Sequence, residues 1–279
     1  MIFDGPVSFA DALATATAKQ LLPTSLSSAE LRGLSGELRR RSVFSAKVVE
    51  ADILATLQSA VETLASGDVA GSSYSRAKDQ LLKAIRRTGY VPGEDEAGTI
   101  KDLTSDARLS LMLETNVRDV QGAGAFIAGN DPVALEINPG LELIRAGSPE
   151  APRDWLVRWQ AARAATIAEG ATDGSERMVA LKNHPIWQAL GDGAGGFEDT
   201  LGNPWAPFAF NSTMVLVECD REDCIALGIM DENTRVPSAE EQGLNEGLLA
   251  DASRFPTALL DALRDNPDLQ VRDGVLTLR

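Results

Sequence analysis

The chain is poor in the residues that most often carry chemistry. Its 279 residues include one histidine, His184, and two cysteines, Cys219 and Cys224. A structural zinc usually closes on four ligands. A C-x4-C pair with one distant histidine falls short of that set, so no metal and no other cofactor is expected. A cysteine nucleophile needs a base beside it, and nothing around Cys219 or Cys224 marks one. His184, in KNHPIW, is expected to be a packed or surface side chain. There is no G-x-S-x-G, no phosphate loop and no H-E-x-x-H; GDGAGG at 191–196 lacks the lysine and the strand-to-helix setting and reads as a loop. No apolar run approaches the roughly 18 residues of a membrane span. The stretch MIFDGPVSFADALATATAKQ has no basic region ahead of its apolar residues and does not read as a secretion signal. Two free thiols then fit a reducing compartment.

Positive charge is also scarce. Lysine and arginine total 26 against 41 aspartates and glutamates, a net charge of -15. Such a surface repels nucleic acid and anionic lipid, so neither a sequence-specific nucleic-acid partner nor a membrane partner is expected. The densest basic run, Arg39 to Arg41, suits the last turn of a short helix. Carboxylates are numerous enough to meet by chance. Glu114 with Asp119, and Asp220 with Glu222, read as solvated helix faces, and no catalytic residue is assigned.

What is present first is helical periodicity. Ser8 is placed to cap a helix in VSFADALATATAKQLL, and Ser27 with Glu30 has capping-box spacing. In FSAKVVEADILATLQSAVETLASG, residues Val49, Ile53, Leu57, Val61 and Leu64 share one face, and Gly67 stops the helix. SYSRAKDQLLKAIRRTGY predicts a second helix ended by Gly89 and Pro92. From Thr104 or Ser105 a third carries Leu109, Leu113, Val117, Val120 and Ile127 on one face. Its GAGA run at 122–125 permits close approach of another element, a homo-oligomer included.

The second half is more irregular. GLELIR predicts a strand. PRDWLVRWQAARAATIAEG predicts a helix with Pro152 in its first turn, GATDGSER a mobile loop, and MVALKNHPIWQALGDGAGG a short strand followed by a helix near Pro185. MVLVE, 214–218, predicts a strand, and DREDCIALGI a helix capped by Asp220. Two helices and a hairpin built on LQV and VLTL close the chain. The expected fold is α+β and mainly helical: an N-terminal helical segment (1–43), a long-helix scaffold (44–140), an irregular small-sheet region (141–232), and C-terminal helices with a β-hairpin (233–279).

Aromatic residues are only 5% of the chain, yet Trp155, Trp159, Trp187, Trp205, Phe208 and Phe210 crowd into 56 positions of it, three of them in NPWAPFAFNSTM. That stretch has too much proline for a helix or a central strand. Either its rings face inward and pin an irregular segment to a core, the prolines reducing its unfolded-state entropy, or Trp205, Phe208, Phe210 and Asn211 form a partner-binding surface. Inward pinning is the favoured reading.

The blocks RDWLVRW, RMVALKNHPIW, GNPWAPFAFNSTM, DREDCIALGI and LNEGLLA, in that order, with VRDGVLTLR at the end, resemble the tailed-phage minor head proteins, the Mu F-like or head-morphogenesis family. VFSAKVVEADIL and DLTSDARLSLMLETNVRDVQGAGAF resemble that family's helical region, in which Arg108 precedes the pair Thr115 and Asn116. The resemblance implies structural roles for Arg108, Thr115, Asn116, Trp155, Trp159 and Trp187. Better-known members carry Cys and His where this chain has Ala206, Phe208, Phe210 and Asn211, so apolar rings stand where a metal site would be. The implied function is a non-enzymatic assembly component. It would contact portal or capsid proteins and be located in the virion head near the portal after assembly in the bacterial cytoplasm. The alternative is a phage-encoded hydrolase, nuclease or toxin-like enzyme using carboxylates.

Overall fold

Helix α1, Ala51–Ala65, buries Ile53, Leu54, Leu57, Ala60, Val61, Leu64 and Ala65. That is the expected stripe, widened by its i+1 and i+3 neighbours. Val49 does not belong to it: the residue is 51% exposed, because the helix starts later than its periodicity suggests. A turn with Lys47 at φ 59° precedes it, and Val48 takes the buried place instead. Helix α2, Ser73–Arg87, buries Ala77, Leu81 and Ile85 at steps of four. Helix α3, Asp106–Gly129, buries Leu109, Met112, Leu113, Val120 and Ala123, with Val117 half-buried. Apart from Ala123, these residues form one aliphatic core with Val43, Val48 and Leu103.

The computed structural model describes residue 16, residues 19–25, 42–65, 73–147 and 152–238, and the backbone of 249–251, 269–272 and 275–278. The basic run at 39–41, the capping box at 27–30, Ser8 and most of the C-terminal helical segment lie outside these residues. Strand β1, Gln20–Leu21, pairs in parallel with β2, Ser42–Val43, so the end of the first expected helix is extended instead. Tertiary pairing overrides propensity here. Leu22 N–H donates to Val43 O at 3.0 Å and Thr24 N–H to Val48 O at 2.8 Å, while Leu22 and Val43 are buried. The Gln58 amide donates to the carbonyls of Ala16 (3.0 Å) and Lys19 (2.9 Å).

The chain divides into two compact units, residues 1–124 with 249–279, and residues 125–248. These boundaries differ from those expected at 43, 140 and 232. The end of α3 accounts for a division at 124 rather than 140, since Phe126 packs on Trp205 and Gly129 O accepts from Lys182 Nζ. Ile127 is 47% exposed, because the last turns of α3 bury the Gly129 and Asn130 side rather than the one Leu109 began.

In the second unit Asp131 caps helix α4, Pro132–Ile137. Strand β3, Gly140–Arg145, lies between β4, Val179–Leu181, and β5, Met214–Cys219, in an antiparallel sheet of order β4-β3-β5. Helix α5 is Trp155–Ala164, α6 is Ile186–Asp192 and α7 is Arg221–Ala226. Asp154, not Pro152, begins α5: its carboxylate accepts from Val157 N–H. Asp220 caps α7 as its sequence predicts. In the first unit β7, Leu269–Arg272, and β8, Val275–Leu278, pair antiparallel as the expected hairpin. Strand β6, Leu249–Asp251, is extended where a helix is expected, because it occupies the other edge of β8 and uses that edge's backbone groups. The fold is α+β, with seven helices and eight short strands among the described residues.

Candidate functional site

The aromatic residues converge in the second unit. Helix α5 presents Trp155 and Trp159 on one side because they are four residues apart. Helix α6 adds Trp187, and the irregular stretch after residue 199 adds Phe208. Trp159 meets Trp187 edge-on at 5.5 Å between ring centroids. Trp187 stacks on Phe208 at 6.1 Å and 13°, and Trp155 tilts against Phe208 at 6.5 Å. All four rings are buried. Both central indoles satisfy their polar edge: Trp159 Nε1 donates to Thr172 O and Trp187 Nε1 to Leu181 O, each at 2.9 Å.

NPWAPFAFNSTM is therefore mainly a pinning segment, though its three rings do not share one fate. Phe208 is fully buried, whereas Trp205 and Phe210 are half-buried. Trp205 lies against Phe126 at 5.5 Å. Asn203, 1% exposed, donates through Nδ2 to Pro207 O at 3.3 Å. Its carbonyl passes so close to Gly191 that a Cβ there would collide with it. Asn211 is exposed and contributes a left-handed turn, φ 53°, with its carbonyl accepting from Arg153 Nη1 at 3.3 Å. A bridge between Thr200 and Ala209, with Leu201 N–H to Phe208 O at 2.9 Å, gives the segment a partial ladder.

A cationic clamp closes over this core. Asp199 forms ion pairs with Arg153 Nε at 2.7 Å and Arg158 Nη1 at 2.8 Å, and accepts a hydrogen bond from Arg158 Nη2 at 3.0 Å. Arg153 Nη2 also donates to Phe210 O at 2.6 Å. The Arg158 guanidinium lies 5.1 Å from the Trp155 ring and 4.4 Å from the Phe197 ring, a cation–π arrangement. Burial alone would raise the Asp199 pKa, but the Arg158 hydrogen bond and the two arginine charges outweigh it and hold the carboxyl below its ordinary value. Arg153 and Arg158 were legible only as parts of RDWLVRW. Asp199 lies 41 residues beyond Arg158, and no local spacing announces it.

The GATDGSER loop is built into the same core rather than standing off it. Gly174, at φ 83°, leaves room for the Trp159 indole that any Cβ would strike. Thr172 Oγ1 donates to Arg177 O at 2.5 Å, and Asp173 accepts from Ser175 N–H at 2.9 Å.

The remaining chemical candidates are engaged structurally. His184 is buried. Its Nδ1 accepts from Ile186 N–H at 3.0 Å, which leaves Nε2–H to donate to Ile167 O at 3.1 Å. Burial pushes its pKa below the ordinary value. Both ring nitrogens thus serve the backbone, and none activates a thiol. Cys219 and Cys224 are buried free thiols. Burial raises both pKa values, that of Cys224 to about 12, which suppresses the reactive thiolate. Asp119 is not a solvated carboxylate, as expected, but a buried partner of Lys19. Glu114 lies 4.0 Å from Arg118. Among the described residues no three His, Cys, Asp or Glu side chains group as metal ligands, and no helix is long and apolar enough to cross a membrane.

Arg108, Thr115 and Asn116 belong to the other unit. Arg108 is buried, and its Nη2 donates to Ser45 Oγ at 2.8 Å and Ala46 O at 2.9 Å, fixing the turn before α1. Asn116 Nδ2 donates to Met112 O within its own helix at 2.8 Å, and Thr115 is half-buried.

One surface of the second unit is apolar. Ile144, Val215 and Val217 are 36%, 37% and 38% exposed. Register sets Ile144 opposite Val215, and Val217 follows two residues on, so they share a sheet face. The strand in MVLVE was legible, but which of its two faces would stay open was not.

Comparison with protein-family models finds none that matches this chain, and comparisons with curated proteins and with solved structures likewise find no match.

Proposed function

We propose that this chain is a bacteriophage or prophage minor head protein, a non-enzymatic assembly component that acts through contacts with portal or capsid proteins. The observation that supports this reading is the packing together of four of its characteristic blocks. RDWLVRW supplies Trp155, Arg158 and Trp159; RMVALKNHPIW supplies His184 and Trp187; GNPWAPFAFNSTM supplies Asn203 and Phe208. DREDCIALGI joins them through Asp223, which pairs with Arg177 at 3.0 Å. Widely spaced blocks that share one core behave as a module. The side chains an enzymatic reading would call on, His184, Cys219, Cys224 and Asp119, are held in backbone contacts, burial or an ion pair. A net charge of -15 favours retention by protein contacts over retention by packaged DNA.

The test is affinity capture of the full chain from cells co-expressing the neighbouring structural proteins of its genome, with the bound proteins identified by mass. Retention of a portal or capsid protein at 150 mM salt or above is the expected result. A folded chain that retains neither would overturn the reading.

A further inference from the structure

We infer that two copies of this chain pair through the outer edge of β5. Among the described residues, β5 pairs only with β3. Ala146 N–H donates to Thr213 O at 2.9 Å. The hydrogen-bonded pairs are therefore 146–213 and, at every second residue, 144–215, 142–217 and 140–219. The backbone groups of Met214, Leu216 and Glu218 accordingly point to the outer edge. Met214 N–H is already taken by Ser212 Oγ at 3.1 Å, while its carbonyl and both groups of Leu216 and of Glu218 face outward. An edge that presents such groups beside exposed apolar side chains is a template for a further strand.

The sequence of that edge is its own complement. With Leu216 opposite Leu216 of a second copy, the two exchange N–H···O bonds, and Glu218 N–H of each copy meets Met214 O of the other. Val215 then lies opposite Val217 of the other copy as a non-hydrogen-bonded pair, where side chains approach most closely. The strip Ile144, Val215, Val217 becomes one continuous apolar face across both copies. The charges agree with this register. Glu218 is set opposite Met214, whose neighbour across β3 is Arg145. Each glutamate, held in its own chain by Lys182 at 3.0 Å and Asn138 at 2.6 Å, thus lies toward the other copy's Arg145 end. It stands about 13 Å along the strand from its own counterpart, beyond the roughly 8–10 Å over which surface charges act at ordinary salt. The inference does not depend on the phage reading, since it rests on strand register alone.

Sedimentation velocity of the full chain across the micromolar range is the first measurement. Concentration-dependent dimer, at about twice the 29.6 kDa chain mass, is expected. A chain that stays monomeric throughout overturns the inference. The double variant Val215→Lys/Val217→Lys is expected to shift to monomer with its melting temperature retained; a persistent dimer overturns the inference. The register is read by two further single variants, Val215→Cys and Val217→Cys, which stay close in size to the native side chains. Under mild oxidation with copper phenanthroline, a mixture of the two is expected to give at least tenfold more cross-linked dimer than either alone. Equal cross-linking in all three samples overturns the register.

Discussion

The two units reach a buried core by different means. Among its described residues the first uses three helices and aliphatic side chains at helical spacing: Ile53, Leu57 and Val61, then Ala77, Leu81 and Ile85, then Leu109 and Leu113. The second has short elements, and all four tryptophans of the chain fall within it. A long helix satisfies its own backbone and needs only an apolar stripe. An irregular segment must find partners for each peptide group. In the second unit indoles, arginines, an asparagine and a histidine supply many of those partners while their bodies fill the core. Repetition of small contacts holds the first unit, and a few large residues that pack and bond at once hold the second.

The largest expected effect breaks the aliphatic side. Leu113 is fully buried. Leu113→Asp would leave an unpaired charge there, a penalty on the order of 5 kcal/mol, comparable with the whole stability of a domain. Helical circular dichroism should melt at a much lower temperature than in the parent chain, while tryptophan emission, which reports the second unit alone, moves less. Equal loss of both signals would erase the distinction between the two cores.

Next comes the aromatic side. Phe208→Ala should cost roughly 3–5 kcal/mol in denaturant titration. Trp205→Ala should cost less, about 1 kcal/mol, since that ring is only half-buried beside Phe126. Similar costs for the two would mean that the segment is held evenly rather than at one ring.

The clamp is expected to matter less. Asp199→Asn removes a partly exposed charge from two arginines and should cost roughly 1–3 kcal/mol at pH 7. Because the folded pKa is depressed, the stabilisation from Asp199 is present above its unfolded value near 3.9 and lost as pH falls through the folded one. The variant should therefore approach the parent chain in strongly acidic buffer.

The smallest effect belongs to His184. Its folded pKa is depressed, so the neutral ring stabilises fully above the unfolded value near 6.5, and that contribution is lost as pH falls toward the folded value. His184→Gln should flatten the stability profile just below pH 6.5, as measured by thermal melts at several pH values. An unchanged profile would show that the ring is not the titrating group there.

How much of this was legible follows from the same contrast. Helices α2 and α3 could be read directly, because Leu81 and Ile85, or Leu109 and Leu113, repeat at the period of the helix. Reading failed at Val49, where the chain had not yet begun to coil, and at Ile127, where α3 changes the face it buries. The strands of the small sheet were visible as β-rich runs, and the inward turn of Phe208 followed from composition and proline, whereas the half-exposure of Trp205 and Phe210 did not. The pairings were not visible. Arg158 with Asp199, Lys182 with Glu218 and Trp159 with Thr172 each join residues 13 to 41 positions apart, and neither partner's neighbours encode the other.

The division of the chain also bears on the order in which it is made. The first unit owns both ends of the described sequence, with β6, β7 and β8 returning to it after the second unit is complete. A ribosome adding roughly 5–20 residues per second releases α1 and α2 early, as a local helical pair that closes quickly. The second unit emerges whole before the hairpin that finishes the first. The tryptophan core can therefore assemble while the first unit still lacks β6, β7 and β8, and strands made after the second unit complete the unit that was begun before it. Released chains truncated near residue 248 are accordingly expected to show native-like tryptophan emission and an unfinished aliphatic core.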